Sequence, residues 1–290
     1  FGVAVGGVGR GVGGGGGWID HLSKLGRVGE TIDRVEKAAM AAISQRAQWP
    51  CLGAAAYPTD HALAPGAMTI ESEQTGYVQH IDVLALGAIA QHDCTHIYLE
   101  VVPGTFVHEG MPLLHVVSLG TRQDDGTQAT REKILSTLTI GNRRTFEHDP
   151  RFGLCVLSEI ASRALSPAVN DPGTAIDVIG RGVRTLTCWG KPGGSGRQTD
   201  QQCEQVFVRG LNVDDLFEDF FAPISRDGAG VFEVDARLLK ALISLAEINP
   251  VLFKTACLRQ ADQLITRAHA TLTLQHEKER LSALAKAIGV

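Results

Sequence analysis

The sequence lacks the motifs that identify the common enzyme classes. It has no GxSxG nucleophile motif, no P-loop, no HExxH zinc motif and no paired-carboxylate signature. The glycine-rich residues 7–11 follow no strand, so they do not indicate a dinucleotide site. These absences exclude the common catalytic machineries, although an enzyme of unrecognised type stays open.

Close cysteine pairs and an excess of basic charge are also missing. The six cysteines, at positions 51, 94, 155, 188, 203 and 257, form no CxxC pair, which argues against a zinc knuckle and a thioredoxin-type site. We therefore expect a reducing compartment. The net charge of −5 and the pI of about 6.1 give no indication of a nucleic-acid-binding surface.

Long hydrophobic runs are absent too. A membrane span needs roughly 18 uncharged apolar residues, and the longest candidate, residues 83–90, is far shorter. There is no signal peptide, and the chain opens with Phe1 instead of methionine. We therefore expect the chain to be a fragment of a longer protein.

The pattern along the chain predicts an α+β fold with four segments. Residues 1–17 are glycine-rich, residues 18–65 form a connecting helix and linker, residues 66–120 form a β-rich module, and residues 121–290 are mainly helical. Within this scheme, we expect a small, hybrid β-sandwich-like module to pack against a mostly helical domain.

Helical periodicity and proline positions locate the individual helices. Helices are predicted at residues 18–47, 83–92, 130–140, 152–165, 172–188, 213–221, 235–248 and 251–288, and a mobile loop is predicted at residues 190–202. Asp149-Pro150 and Asp171-Pro172 each have the order of an N-cap residue followed by a first-turn proline.

The β-rich module alternates at residues 77–81, and Pro103-Gly104 predicts a turn within it. Its Gly104-x-x-Val107-x-x-Gly110-x-x-Leu113 pattern resembles a corner of the biotinyl and lipoyl carrier domains. True carriers hold their cofactor on a lysine, and no lysine occurs between Lys37 and Lys133. We therefore predict a module without a covalent cofactor.

The most unusual stretch runs from Ser166 to Thr174 between two predicted helices. Ser166 or Asn170 would close the first helix, and Asp171 would cap the second. With Arg144 or Arg163 nearby, free N–H groups at this corner would hold an anion; the alternative is a rigid, well-capped corner. The candidate ligand-binding residues are Arg144, His148, Asp149, Arg163, Ser166, Asn170, Asp171 and Thr174.

The histidines do not predict a metal site. His92 and His96 are four residues apart, but a β-prone segment begins between them, so they do not share a helix face. His148 and Asp149 are adjacent, and adjacent side chains point apart. We therefore expect neither a metal nor another cofactor.

Several stretches together resemble a bacterial family of predicted membrane proteins of unknown function, DUF2254. The most specific stretch is Ser-Pro-x-x-Asn-Asp-Pro-x-Thr-Ala at residues 166–175, accompanied by residues 76–82, 103–107, 141–145 and 152–154. The resemblance implies membrane-spanning helices upstream of Phe1 and a location at the cell membrane. We expect this part to be soluble, on the cytoplasmic side, and homo-oligomeric, because a neighbouring subunit would cover the apolar stripe between Ile19 and Ile43.

Three functions are open at this point. The chain is an extramembrane binding or gating module that senses a small ligand or partner at the Ser166–Thr174 corner. Alternatively, it is a membrane-associated enzyme in which His148, Asp149 and Asp171 form the only plausible acid-base group. The third alternative is a purely structural assembly domain.

Overall fold

A computed structural model describes residues 13–58, 66–118, 127–191 and 203–289, with side chains from Gly29 onwards except that of Thr127. The predicted α+β class is confirmed, because these residues form nine helices and two small sheets. Residues 1–12 of the glycine-rich segment and residues 192–202 of the predicted loop lie outside the described ranges.

Most of the described helices overlap the predicted ones, with two differences given below. In chain order they are α1 (Gly13–Gln48), α2 (Val83–His92), α3 (Thr127–Ser136), α4 (Pro150–Leu165), α5 (Pro172–Gly190), α6 (Val213–Asp227), α7 (Phe232–Ile248), α8 (Pro250–Thr271) and α9 (Gln275–Ala285). None of these helices, over the part of the chain that the structure describes, is long and apolar enough to cross a membrane.

The strands form two sheets. They are β1 (Ala54–Ala56), β2 (Met68–Glu71), β3 (Gly76–Ile81), β4 (Thr95–Leu99), β5 (Phe106–Val107), β6 (Pro112–Ser118), β7 (Leu138–Gly141) and β8 (Cys203–Val208). The larger sheet has the order β1-β8-β4-β6-β2, with β8 parallel to both of its neighbours. The smaller sheet has the order β5-β3-β7 and is antiparallel. Strands β1, β7 and β8 thus join the sheets from outside residues 66–120.

The helix predicted at residues 130–140 is wrong in its second half. Helix α3 ends at Ser136, where the hydroxyls of Ser136 and Thr137 donate to the carbonyls of Lys133 and Ile134. The following residues form β7, which pairs with β3. The partner strand lies about sixty residues earlier in the chain, so local periodicity does not reveal it.

The single helix predicted at residues 251–288 is also wrong. Helix α8 ends at Thr271 and α9 begins at Gln275. Between them, Leu272 is 5% exposed and joins the helical core. Burial of Leu272 turns the chain, and α9 then packs across α7. No proline or glycine marks this break in the sequence.

Two apolar cores lie side by side. The helical core buries four phenylalanines, Phe217, Phe220, Phe221 and Phe253, among α1 and α4 to α9. The second core lies between the strands and α2, with Leu86 and Ile97 fully buried. Burial of apolar surface at about 25 cal/mol per Å² is the main stabilising contribution in both cores.

Helix α1 packs against α4 and α5 of its own chain. Ile32, Ala39 and Ile43 on its apolar stripe are buried there. At the α4 crossing, a Cβ atom on Gly153 would overlap with Ala39, so the two backbones meet directly. The stripe is therefore covered from Gly29 onwards without a second subunit. The homo-oligomer stays a prediction, and from Gly29 onwards the stripe gives no reason for it.

Ion pairs also join α1 to α5. Glu36 is 9% exposed and accepts hydrogen bonds from Arg181 at 2.8 Å and from Arg184 at 2.6 Å. Arg181 also binds Asp33 and Asp177. A shared, half-buried network of this kind fixes the register of two helices more firmly than isolated surface pairs do.

Candidate functional site

The predicted double helix terminus at residues 166–174 is confirmed. Helix α4 closes with the Ser166 hydroxyl donating to the carbonyl of Arg163 at 2.7 Å. Asn170 has a φ of 49°, which turns the chain towards α5. Asp171 caps α5 by accepting hydrogen bonds from the Thr174 N–H at 3.0 Å and the Thr174 hydroxyl at 2.6 Å.

These contacts make the corner rigid and place the Asp171 carboxylate at the N-terminus of α5. Asn170 and Arg163 are exposed to solvent. The Asp171 carboxylate occupies the position at which an external anion would meet the N-terminus of α5. The local contacts are thus those of the capped corner, the second of the two alternatives drawn from the sequence.

The other end of α4 has the same Asp-Pro start in a buried setting. Asp149 is 2% exposed, and its Oδ1 accepts hydrogen bonds from the N–H groups of Arg151 and Phe152. Arg144 binds the same carboxylate through two parallel hydrogen bonds of 2.6 and 3.0 Å. Gly104, with a φ of +96°, lies so close that a Cβ atom there would overlap with the carboxylate. Asp149 therefore joins the Pro103-Gly104 turn of the β-rich part to the helical part.

The structure splits the predicted site residues between the two ends of α4. Arg144, His148 and Asp149 lie at its start, whereas Arg163, Ser166, Asn170, Asp171 and Thr174 lie at its end. A helix of 16 residues is about 24 Å long at 1.5 Å per residue. The acid-base group of His148, Asp149 and Asp171 that was considered from the sequence is therefore not brought together.

A cavity of about 290 Å³ opens beside the start of α4, and we call it the α1 cavity. Its walls come from the last turns of α1, from the end of β3, from the start of α2 and from the loop before α4. The lining residues are Ala42, Gln45, Arg46, Trp49, Leu52, His80, Ile81, Asp82, Val83, Leu84, Pro103, Glu147 and His148. Among the predicted site residues, His148 alone lines it.

Arg46 provides a buried positive charge in this wall. Its side chain is 3% exposed, and its Nη2 donates one hydrogen bond, to the carbonyl oxygen of His148 at 3.3 Å. Burial lowers the pKa of Arg46 to about 10, although the charge of Asp149 acts in the opposite direction. The guanidinium stays charged at neutral pH, and no carboxylate of the described ranges lies within ion-pair distance of it.

Two histidines face each other at the cavity. The ring centroids of His80 and His148 are 4.6 Å apart. Burial and the nearby positive charges of His80 and Arg46 lower the pKa of His148, while Glu147 raises it. His80 is exposed, so the pair lies where the cavity meets solvent.

The lining of the cavity also contains the N-terminus of α2. Asp82 caps this helix, with its Oδ1 accepting a hydrogen bond from the Ala85 N–H at 2.9 Å. Val83 and Leu84, the first two residues of the helix, have N–H groups without intrahelical acceptors. The positive end of the helix dipole therefore lies at the same cavity as Arg46.

Sequence reasoning missed Arg46 because α1 was interpreted as a connector. A signal was nevertheless present, since Arg46 follows Ile43 by three residues and so falls on the apolar face of the helix. His80 gave no such signal. Within the described ranges, no group of three or more histidine, cysteine, aspartate or glutamate side chains is arranged to hold a metal ion.

Comparison with known proteins places this architecture in a family. The family model described as predicted membrane protein (DUF2254) matches residues 17–244. Uncharacterized proteins of Mycobacterium bovis and Mycobacterium tuberculosis are 34% identical over 113 residues, which are 39% of this chain and 22% of each relative. The chain thus spans only part of the length of these relatives, and no solved structure matches it. Because the family match covers well over half of the sequence, the chain belongs to the DUF2254 family of predicted membrane proteins.

Proposed function

We propose that this chain is an extramembrane module of an integral membrane protein and that it binds a small ligand in the α1 cavity. One observation carries the proposal: the lining of the cavity contains residues of α1 and residues of the β-rich part. The affinity of a ligand that contacts both parts depends on the distance between α1 and the β-rich part. Such a ligand therefore shifts the position of α1 relative to the β-rich part.

The contacts of α1 support a role in transmission. Gly153 meets Ala39 at backbone distance, and Glu36 is bound by Arg181 and Arg184. Movement at the cavity end of α1 therefore carries α4 and α5 with it. In this view, the helical part transmits the state of the cavity towards the membrane-embedded helices that the family resemblance implies.

The membrane part of the proposal predicts how the full-length protein fractionates. We expect it to stay in the membrane pellet after washing with high salt and with alkaline carbonate, because spanning helices resist both treatments. The present 290-residue chain, expressed alone, serves as the comparison and is expected in the supernatant without detergent. A full-length protein released by alkaline carbonate would contradict the membrane proposal.

The binding part predicts that filling the cavity abolishes ligand binding. Gln45 is exposed and lines the cavity, so Gln45→Trp fills it without disturbing the core. Thermal unfolding would be followed with phosphate, sulfate, citrate, amino acids and nucleotides. We expect at least one compound to raise the Tm of the wild type, and this increase to vanish in Gln45→Trp.

Gln48→Trp is the matched control, because Gln48 is exposed on α1 but does not line the cavity. This variant should keep the ligand-dependent increase in Tm. The binding proposal is wrong if no compound of the set stabilises the wild type. It is equally wrong if Gln45→Trp responds as the wild type does.

A further inference from the structure

We propose that the α1 cavity takes a small oxyanion, a carboxylate or phosphate group, and that Arg46 is the residue that binds its negative charge. This inference rests on the proposed function, since it names the ligand class of the same cavity. It is carried by a buried cation in the lining of the cavity, the Arg46 guanidinium, which donates one hydrogen bond to the His148 carbonyl.

Arg46 is 3% exposed, so its guanidinium loses its water shell on folding. Without a counterion, this desolvation raises the free energy of the folded state. Arg46 uses one N–H for the His148 carbonyl, and a guanidinium has five N–H donors. Asp149, the nearest buried carboxylate, is already bound at both oxygens by Arg144. The planar donors of Arg46 suit a carboxylate or phosphate, which they bind through two parallel hydrogen bonds.

The start of α2 supplies further donors. Val83 and Leu84 line the cavity, and their N–H groups have no acceptors within the helix. A helix N-terminus favours an anion through these N–H groups and through its partial positive charge. Asp82 caps this helix as Asp171 caps α5, so the oxyanion would lie at Arg46, and the remaining N–H groups of α2 would add hydrogen-bond donors but not the main positive charge.

Two carboxylates line the cavity, and their negative charge affects how tightly an anion binds there. Asp82 points one oxygen into its own helix as the cap, whereas Glu147 is exposed at the cavity rim. Glu147 carries a charge of the same sign as the proposed ligand, so it weakens the binding of a simple oxyanion. Its removal should strengthen that binding, and this effect is opposite in sign to the loss of Arg46.

The charge of the cavity also depends on pH. The ionisable groups that face it are Arg46 from α1, His80 from β3, Asp82 at the start of α2, and Glu147 and His148 from the loop before α4. Burial and neighbouring positive charge lower the pKa of His148, so this ring gains its proton only below its ordinary range. Protonation adds positive charge beside Arg46, so oxyanion binding should strengthen as the pH falls.

The test is isothermal titration of the whole chain with sulfate and with inorganic phosphate at fixed ionic strength. We expect Arg46→Met to weaken binding at least about tenfold, which is about 1.4 kcal/mol, and Glu147→Gln to strengthen it about twofold to fivefold. Arg34→Met is the matched control: Arg34 lies on the exposed face of α1, and its removal changes the net charge equally without affecting the site. Sulfate stays fully ionised from pH 5 to pH 7, and its affinity should be higher at pH 5, where protonation of His148 adds positive charge beside Arg46.

Arg46→Met also has a structural readout. An apolar side chain of similar length removes a buried unpaired charge, so the Tm of the ligand-free variant should rise. A variant that loses stability would show that the Arg46 charge also supports the fold, and the inference would then be decided by the change in affinity of Glu147→Gln. Glu147→Gln changes an exposed residue and keeps the test valid if Arg46→Met does not fold.

The outcomes separate this inference from the function on which it rests. If sulfate and phosphate bind equally to the wild type and Arg46→Met, the oxyanion assignment is wrong. If these anions bind but Gln45→Trp does not block them, they bind elsewhere, and the assignment is again wrong. Another outcome is a compound whose binding is abolished by Gln45→Trp but not by Arg46→Met. In that case the proposed ligand-binding function is supported, and the oxyanion assignment is wrong.

Discussion

Replacing Asp149 by alanine should lower the free energy of unfolding by about 3–5 kcal/mol, because it leaves the half-buried Arg144 without its counterion. The same change removes the cap of α4, since the N–H groups of Arg151 and Phe152 lose their acceptor. It also empties the space under Gly104, where the β-rich part meets the helices. Urea unfolding followed by circular dichroism measures the loss.

Two variants separate the contributions to this loss. Asp149→Asn keeps a side-chain cap but removes the charge, so it should lose less stability than alanine. Asp171→Ala removes the corresponding cap of α5, which has no arginine partner, and should cost about 0.5–2 kcal/mol. Equal losses for Asp149→Ala and Asp171→Ala would mean that the buried ion pair adds nothing to the stability that the cap provides.

Asp235→Asn should stabilise the protein at neutral pH, by up to about 4 kcal/mol at pH 8. Asp235 is 1% exposed, its Oδ1 has no hydrogen-bond partner, and burial raises its pKa to about 7. The carboxyl keeps its proton in the folded state between its ordinary pKa of 3.8 and about 7, whereas the unfolded chain releases it. Stability is therefore lost as the pH rises through this range, and asparagine removes the loss.

The measurement is urea unfolding of both proteins at pH 5 and pH 8. The slope is about 1.4 kcal/mol per pH unit, so the advantage of Asp235→Asn should grow by about 3 kcal/mol between these values. Asp262→Asn, at an exposed position of α8, is the control and should show no such growth. A constant difference between wild type and Asp235→Asn would mean that the folded protein does not hold this proton.

Local chemistry made the helix termini predictable. Asp149-Pro150 and Asp171-Pro172 were identified as cap and first-turn proline, and the structure confirms both. The N-cap carboxylate and the proline act on groups within three residues, so the sequence alone contains the whole interaction. The helix at Val83–His92 was also predicted, and the structure shows that Asp82 caps it.

Contacts between distant parts of the chain were not predictable. The α1 cavity joins Arg46, His80 and His148, which no local period connects. Strand β7 forms by pairing with the distant β3, and the turn at Leu272 comes from burial in the helical core. For this reason, the sequence indicated the corner at residues 166–174, with its recognisable local chemistry, and not the cavity at the other end of α4.

The close crossing of α1 and α4 has a mechanical consequence. Gly153 and Ala39 meet with no flexible side chain between them, so neither helix can rotate or slide against the other by small steps. A displacement of a few ångströms at Arg46 then tilts α1 about this crossing, which lies about 10 Å from Arg46 and about 39 Å from Gly13 along the helix. The 36-residue length of α1, about 54 Å, amplifies that tilt at the end far from the cavity.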